Sequence, residues 1–96
     1  MRRRFMVAYD IADAKRLRQV HKVMNGYGDR IQFSVFLCDL TSSEAVQLKW
    51  DVGELLNDLE DQVLIVDLGR TDRSGHDRFQ FLGRPPKLPS GGAVIV

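Results

Sequence analysis

Eleven consecutive residues, Arg30 to Leu40, read as β-strand, about twice the length of an ordinary strand. The stretch is rich in Ile31, Phe33, Val35, Phe36 and Leu37. We therefore expect two strands with their join around Ser34 to Phe36. A hairpin at this point constrains everything on either side of it.

Upstream, Arg4 to Ile11 reads as another strand. Phe5, Met6, Val7, Ala8 and Tyr9 form a near-continuous apolar run, the pattern of a central strand covered on both faces. Asp13 is placed to cap a helix that starts at Ala14. Leu17, Val20 and Met24 recur at helical spacing with His21 beside them, and Lys15, Arg18 and Lys22 share the opposite face. Gly26 ends this helix and Gly28 follows in the turn. Downstream, Thr41 and Glu44 form a capping-box pattern. Ala45, Leu48, Val52, Leu55, Leu56 and Leu59 make the apolar stripe of a second helix, with Glu44, Lys49, Asp51, Glu54 and Asp58 outward. Gln62 to Leu68 is a strand around Val63–Val66, ended by Gly69, and Phe79 to Leu82 reads as a short extra strand. The order is strand, helix, strand, strand, helix, strand. It predicts an α+β fold of the ferredoxin-like type, β-α-β-β-α-β, with an extra C-terminal strand.

A chain of 96 residues holds one domain, taken here as residues 1–84. Residues 85–96 are a Pro/Gly-rich tail, with Ala93–Val96 a candidate interface strand. A core this small makes an obligate homodimer unsurprising. The single cysteine, Cys38, excludes an intramolecular disulfide. No apolar run approaches the roughly 18 residues of a membrane span. Arg2, Arg3 and Arg4 suggest a signal segment, but the apolar run after them is short, is broken by Asp10 and leads to no cleavage site. The expectation is a soluble, cytoplasmic protein with no membrane partner.

The net charge of +1 conceals a pattern. Residues 1–36 carry eight Lys/Arg and three Asp, whereas residues 37–68 carry one Lys and eight Asp/Glu. Residues 69–96 are basic again, with five Lys/Arg against two Asp. A fold that brings both ends together presents a basic face to phosphates, although a mixed solvated surface has the same composition.

Tyr9–Asp10–Ile11, then Asp13 and the basic stretch Lys15–Arg16–Leu17–Arg18–Gln19–Val20, resemble the opening of a CRISPR-associated endoribonuclease family, that of the small second Cas protein. Tyr27–Gly28–Asp29–Arg30–Ile31–Gln32–Phe33–Ser34–Val35–Phe36 is similar to its next motif, and Gln62–Gly69 and Leu82–Gly83 fit its weaker later pattern. The likeness runs in order over residues 4–83. It implies homodimers of ferredoxin-like domains with an active site at the dimer interface, around the aspartate after the first strand. It also implies a magnesium-dependent endonuclease of RNA or double-stranded DNA. A further implication is a bridging role between dimers of the first Cas protein, the integrase, in spacer acquisition. The tail after Gly83 matches no motif of the family, and the N-terminal arginines are not required by it.

Asp10 is the candidate catalytic and metal-ligating residue. Read as a residue alone, it is equally a solvated strand-end aspartate or a helix cap. Magnesium takes oxygen ligands, keeps several waters, and commonly uses one or two carboxylates plus phosphate. One Asp10 from each protomer of a two-fold dimer supplies that pair, with manganese able to substitute. Arg16, Arg18 and Arg30 are the candidate nucleic-acid contacts, since guanidinium matches phosphate geometry and keeps its charge. Arg70, Arg73 and Arg78 form a weaker second basic cluster. Tyr9, Ser34 and Phe36 are candidates for the border of the site, against core packing for the two aromatics and a bend for Ser34. His21 reads as a packed, hydrogen-bonded histidine and His76 as a solvated one. Cys38 and Trp50 read as packing or interface residues. No Ser/His/Asp or Cys/His set emerges. Two rival readings stand beside the nuclease: a non-catalytic DNA-binding adaptor of the integrase, and a toxin-like ribonuclease of the same fold.

Overall fold

A computed structural model of the chain describes residues 1–71, 79–84 and 86. It contains β1 (Arg3–Asp10), α1 (Ala14–Asn25), β2 (Asp29–Gln32), β3 (Val35–Leu40), α2 (Ser42–Gly53) and β4 (Gln62–Arg70). The four strands form one sheet in the order β2-β3-β1-β4, with every neighbouring pair antiparallel. This is the expected β-α-β-β-α-β arrangement.

Alternation along the strands sorts the sheet into two faces. Val7 and Tyr9 of β1 and Phe36, Cys38 and Leu40 of β3 are buried with Val20 and Met24 of α1 and Leu48 and Val52 of α2. Phe5, Val63 and Ile65 pack against that core. Both helices thus cover one face. The other face is also apolar: Met6 lies between Leu37 and Val66, and Ala8 between Val35 and Leu64. Leu64 remains 54% exposed there. The expectation that β1 is covered on both faces is therefore corrected for the single chain. A continuous apolar run reports two apolar faces, and among the described residues only one has a helical partner. At one margin of the open face Arg4 donates to Asp39 at 2.8 and 3.1 Å.

Helix starts follow the sequence closely. Asp13 accepts from the Arg16 amide at 2.9 Å, and Thr41 and Glu44 make a reciprocal capping box. Gly28 is required by proximity rather than by dihedral angle. A Cβ there would lie 2.2 Å from the Leu37 carbonyl oxygen and 2.6 Å from Cys38 Sγ.

Several expectations need correction. β1 ends at Asp10 rather than Ile11, and the hairpin joins at Phe33–Ser34, slightly before the expected point. α2 stops at Gly53, so the stripe does not continue to Leu59, which is 96% exposed. Asn57 and Asp61 side chains accept from the amides of Leu59 and Asn57, and these local bonds replace a further helical turn. β4 runs through Gly69 to Arg70 because a bulge opposite Arg4/Phe5 absorbs an extra residue, with Gly69 at φ +100°. Residues 79–82 form no strand in the single chain. Of the packing and interface readings for Trp50 and Cys38, Cys38 is fully buried as a packing residue, whereas Trp50 is 66% exposed and only its interface reading stands. No helix among the described residues is long and apolar enough to cross a membrane. The Ala93–Val96 segment lies outside the described residues.

Candidate functional site

Asp10 is the last residue of β1, exposed and opposite Gln62. The helix-capping role falls to Asp13. The Asp10 side chain has no hydrogen bond or ion pair among the described residues. Its carboxylate is therefore available to a cation. The join between β2 and β3 is held beside it, since the Tyr9 amide donates to the Ser34 carbonyl at 3.1 Å.

Tyr9, Ser34, Phe36 and Arg30 are brought together at this end of the sheet. Tyr9 and Phe36 stack with centroids 6.1 Å apart, and both are buried, so neither presents a ring to a ligand. Ser34 contributes its backbone. The Arg30 guanidinium is 5.6 Å from the Phe36 centroid and 5.9 Å from that of Phe33. His21 adds to the cluster as a short hydrogen-bond partner of the Tyr9 hydroxyl through Nδ1. Burial pushes the Tyr9 hydroxyl up to about 12, so it stays protonated. His21 Nε2 is buried without a hydrogen-bond partner among the described residues. Burial and then the Arg30 charge hold the His21 pKa below its ordinary value, so the ring is neutral at neutral pH. The packed histidine expected from sequence is what the structure has.

The three candidate arginines differ. Arg30 is exposed. Arg18 is exposed on α1 with Lys15 and Lys22, and it has no ion pair among the described residues. Arg16 is engaged: its Nε donates to Asp61 at 2.8 Å and one Nη to Glu60 at 3.0 Å. Asp61 also accepts from the Ala12 and Asn57 amides at 2.9 Å each, with its side chain wholly withdrawn from solvent. The clamp ties the loop after Asp10 to the loop before β4. These bonds occupy Nε and one Nη of Arg16, and the other Nη makes no hydrogen bond to a described residue.

Among the described residues, no group of three or more His, Cys, Asp or Glu is placed to hold a metal. At the end of β1 one chain offers the exposed carboxylate of Asp10. That fits magnesium only where phosphate oxygens, water and a second carboxylate complete the shell.

Sequence reasoning missed two residues. Asp61 sits in the acidic middle of the chain, and nothing local distinguishes it from Asp58 or Glu60. Phe33 was grouped with the apolar strand residues, but its position in the join leaves it 66% exposed. Arg73, Arg78 and His76 lie outside the described residues.

The family model described as CRISPR associated protein Cas2 matches residues 1–75. The chain is 46% identical over 65 residues to "CRISPR-associated endoribonuclease Cas2 1" of Rhodospirillum rubrum, which is 68% of this chain and 64% of that protein. It is 41% identical over 95 residues to "CRISPR-associated endoribonuclease Cas2 2" of Thermodesulfovibrio yellowstonii, covering 99% of both. The crystal structure of Streptococcus pyogenes Cas2 at pH 6.5 superposes with a TM-score of 0.73 at 32% identity, covering 83% of this chain and 99% of that one.

Proposed function

The chain belongs to the CRISPR associated protein Cas2 family, and on that premise we propose that it is a CRISPR adaptation protein acting as a magnesium-dependent endonuclease of RNA or double-stranded DNA. The observation that carries the reading is Asp10, exposed at the end of β1 and committed neither to capping nor to an ion pair. Relatives named endoribonuclease support the nuclease class.

Two chains packed through the open apolar face would form a homodimer, and a two-fold axis would contribute one Asp10 from each. The paired carboxylates repel, so one takes up a proton unless a cation lies between them. Magnesium or manganese, when bound, polarises the phosphate and lowers the pKa of a bound water. The chain itself holds the cation through Asp10 and draws phosphate with the free cations Arg18 and Arg30. Paired carboxylates bind cations better when both are ionised, so activity should rise toward mildly alkaline pH.

Asp10→Asn keeps the side chain's shape and removes its charge. Loss of groups that merely support a metal ligand costs about 10–100-fold, so loss of the ligand itself should lower cleavage by more than about 100-fold. Dimerisation and salt-sensitive nucleic-acid binding should survive. Wild-type cleavage by this variant would end the assignment.

A second reading keeps the fold and drops the chemistry. Here the dimer is a non-catalytic adaptor that binds duplex DNA and bridges the first Cas protein, the integrase, in spacer acquisition. The lone Asp10 carboxylate at the end of β1 in each chain favours it. Spacer acquisition that persists in Asp10→Asn would make bridging the biological role.

A further inference from the structure

Phe33 stands out among the aromatic residues at the Asp10 end of the sheet. Tyr9 and Phe36 are buried, whereas Phe33 is 66% exposed although it is a large apolar ring. Its position is fixed. The following residue, Ser34, is tied to β1 by the Tyr9 amide, and His21 meets the Phe33 ring at 5.0 Å, nearly perpendicular. The Arg30 guanidinium approaches the same ring. Beside it lies an open cleft of about 400 Å³ between the end of β2 and residues 80–82, 84 and 86, lined by Phe33 together with Gln32, Gln80 and Arg84.

We propose that Phe33 and this cleft form a base-binding subsite for one unpaired nucleotide of a bound nucleic acid. An aromatic ring held in place but left open can stack on any base, because every base has a π-face. Arg30 can meet the neighbouring phosphate with a charge it cannot lose. Gln32 and Gln80 carry both donors and acceptors, which suit the edge of a base, and Arg84 adds charge for the backbone. The subsite takes an unstacked base, so it engages single strands or frayed ends and not the interior of a duplex. The inference rests on the nucleic-acid reading above and adds a contact for the base to those for the phosphate.

The test uses the full chain, with a labelled oligothymidylate of about ten nucleotides as the single-stranded probe and a blunt duplex as the control. Phe33→Ala and Phe33→Leu should each weaken single-strand binding about tenfold, from the loss of one stacked base. Duplex binding should change less than about twofold. Phe33→Trp, in a Trp50→Phe background, should bind normally, and its fluorescence should be quenched by the oligothymidylate. Sedimentation should show all variants in the wild-type oligomeric state. Unchanged single-strand binding in Phe33→Ala and Phe33→Leu would overturn the subsite. Equal losses on single strand and duplex would also do so, as would altered oligomerisation, which would assign the ring to a second copy of the chain. If the subsite fails while Asp10→Asn still abolishes cleavage, the nuclease reading stands. If wild-type protein binds neither probe, both fall together.

Discussion

Asp61 and Arg16 form the most committed polar contact at the candidate site. Arg16, followed by the Asn57 and Ala12 amides, holds the Asp61 carboxyl well below the usual carboxylate range. A depressed pKa means that the folded state releases its proton more readily than the unfolded one. The stabilisation is therefore complete above the unfolded value near pH 4 and is lost as pH falls through the lower folded value. Asp61→Asn should lower stability at neutral pH and flatten the loss of stability between about pH 4 and lower values, read from denaturant unfolding across pH. An acid profile identical to wild type would mean that the clamp is not formed in solution. Arg16→Ala should behave similarly at neutral pH, since it leaves a withdrawn carboxylate unpaired. Gly28→Ala should cost about 1–3 kcal/mol, because its Cβ would press on Leu37 backbone and Cys38 sulfur that pack tightly below it. Wild-type stability in that variant would show that the β3 backbone yields. Legibility at this scale depended on range. Asp13 and the Thr41–Glu44 box were readable because a cap acts within three residues. Asp61 was not, because its arginine is 45 residues away.

At the level of elements, α1 divides its basic residues between two tasks that the sequence presented as one. Arg16 is spent on the loop clamp, whereas Lys15, Arg18 and Lys22 are exposed to solvent. Each phosphate neutralised by a cation releases counterions, with a slope of log K against log salt of about −0.9 per contact on duplex DNA. Arg18→Ala should therefore reduce that slope by about one unit and weaken binding alike on all sequences, with thermal stability unchanged. An unaltered slope would make this face an ordinary solvated one. Helix starts, the hairpin and the strand order were legible because capping patterns and strand lengths are local. The end of α2 was not. Leu55, Leu56 and Leu59 continue a helical spacing, but the backbone after Gly53 is captured by Asn57 and Asp61. The passage of β4 through Gly69 was hidden for a related reason: glycine marks a strand end and a bulge equally well.

On the scale of the molecule, no helix among the described residues covers one face of the sheet, and that face carries Met6, Ala8, Val35, Leu37, Leu64 and Val66. The sequence showed that β1 is apolar on both faces but not what covers the second one, because hydrophobicity does not distinguish a helix from another copy of the chain. Sheet faces pack at about 10 Å, a distance that two such surfaces can reach around a two-fold axis. Leu64 is central to the expectation, since it is 54% exposed and lies opposite Ala8, two residues from Asp10. Leu64→Glu would place a charge against its own symmetry mate in such a dimer, where a buried unpaired carboxylate is costly. Sedimentation at micromolar concentration should find wild-type protein at about twice its 10.9 kDa chain mass and Leu64→Glu at that mass. The variant should stay folded, because Leu64 is outside the helix-covered core. It should also lose metal-dependent cleavage, since each separated chain retains a single carboxylate at the strand end. Two results would each count against the symmetric site: a monodisperse wild-type monomer, or a monomeric Leu64→Glu that cuts at the wild-type rate. The second would locate the chemistry within one chain, with Asp10 acting alone beside the substrate phosphate.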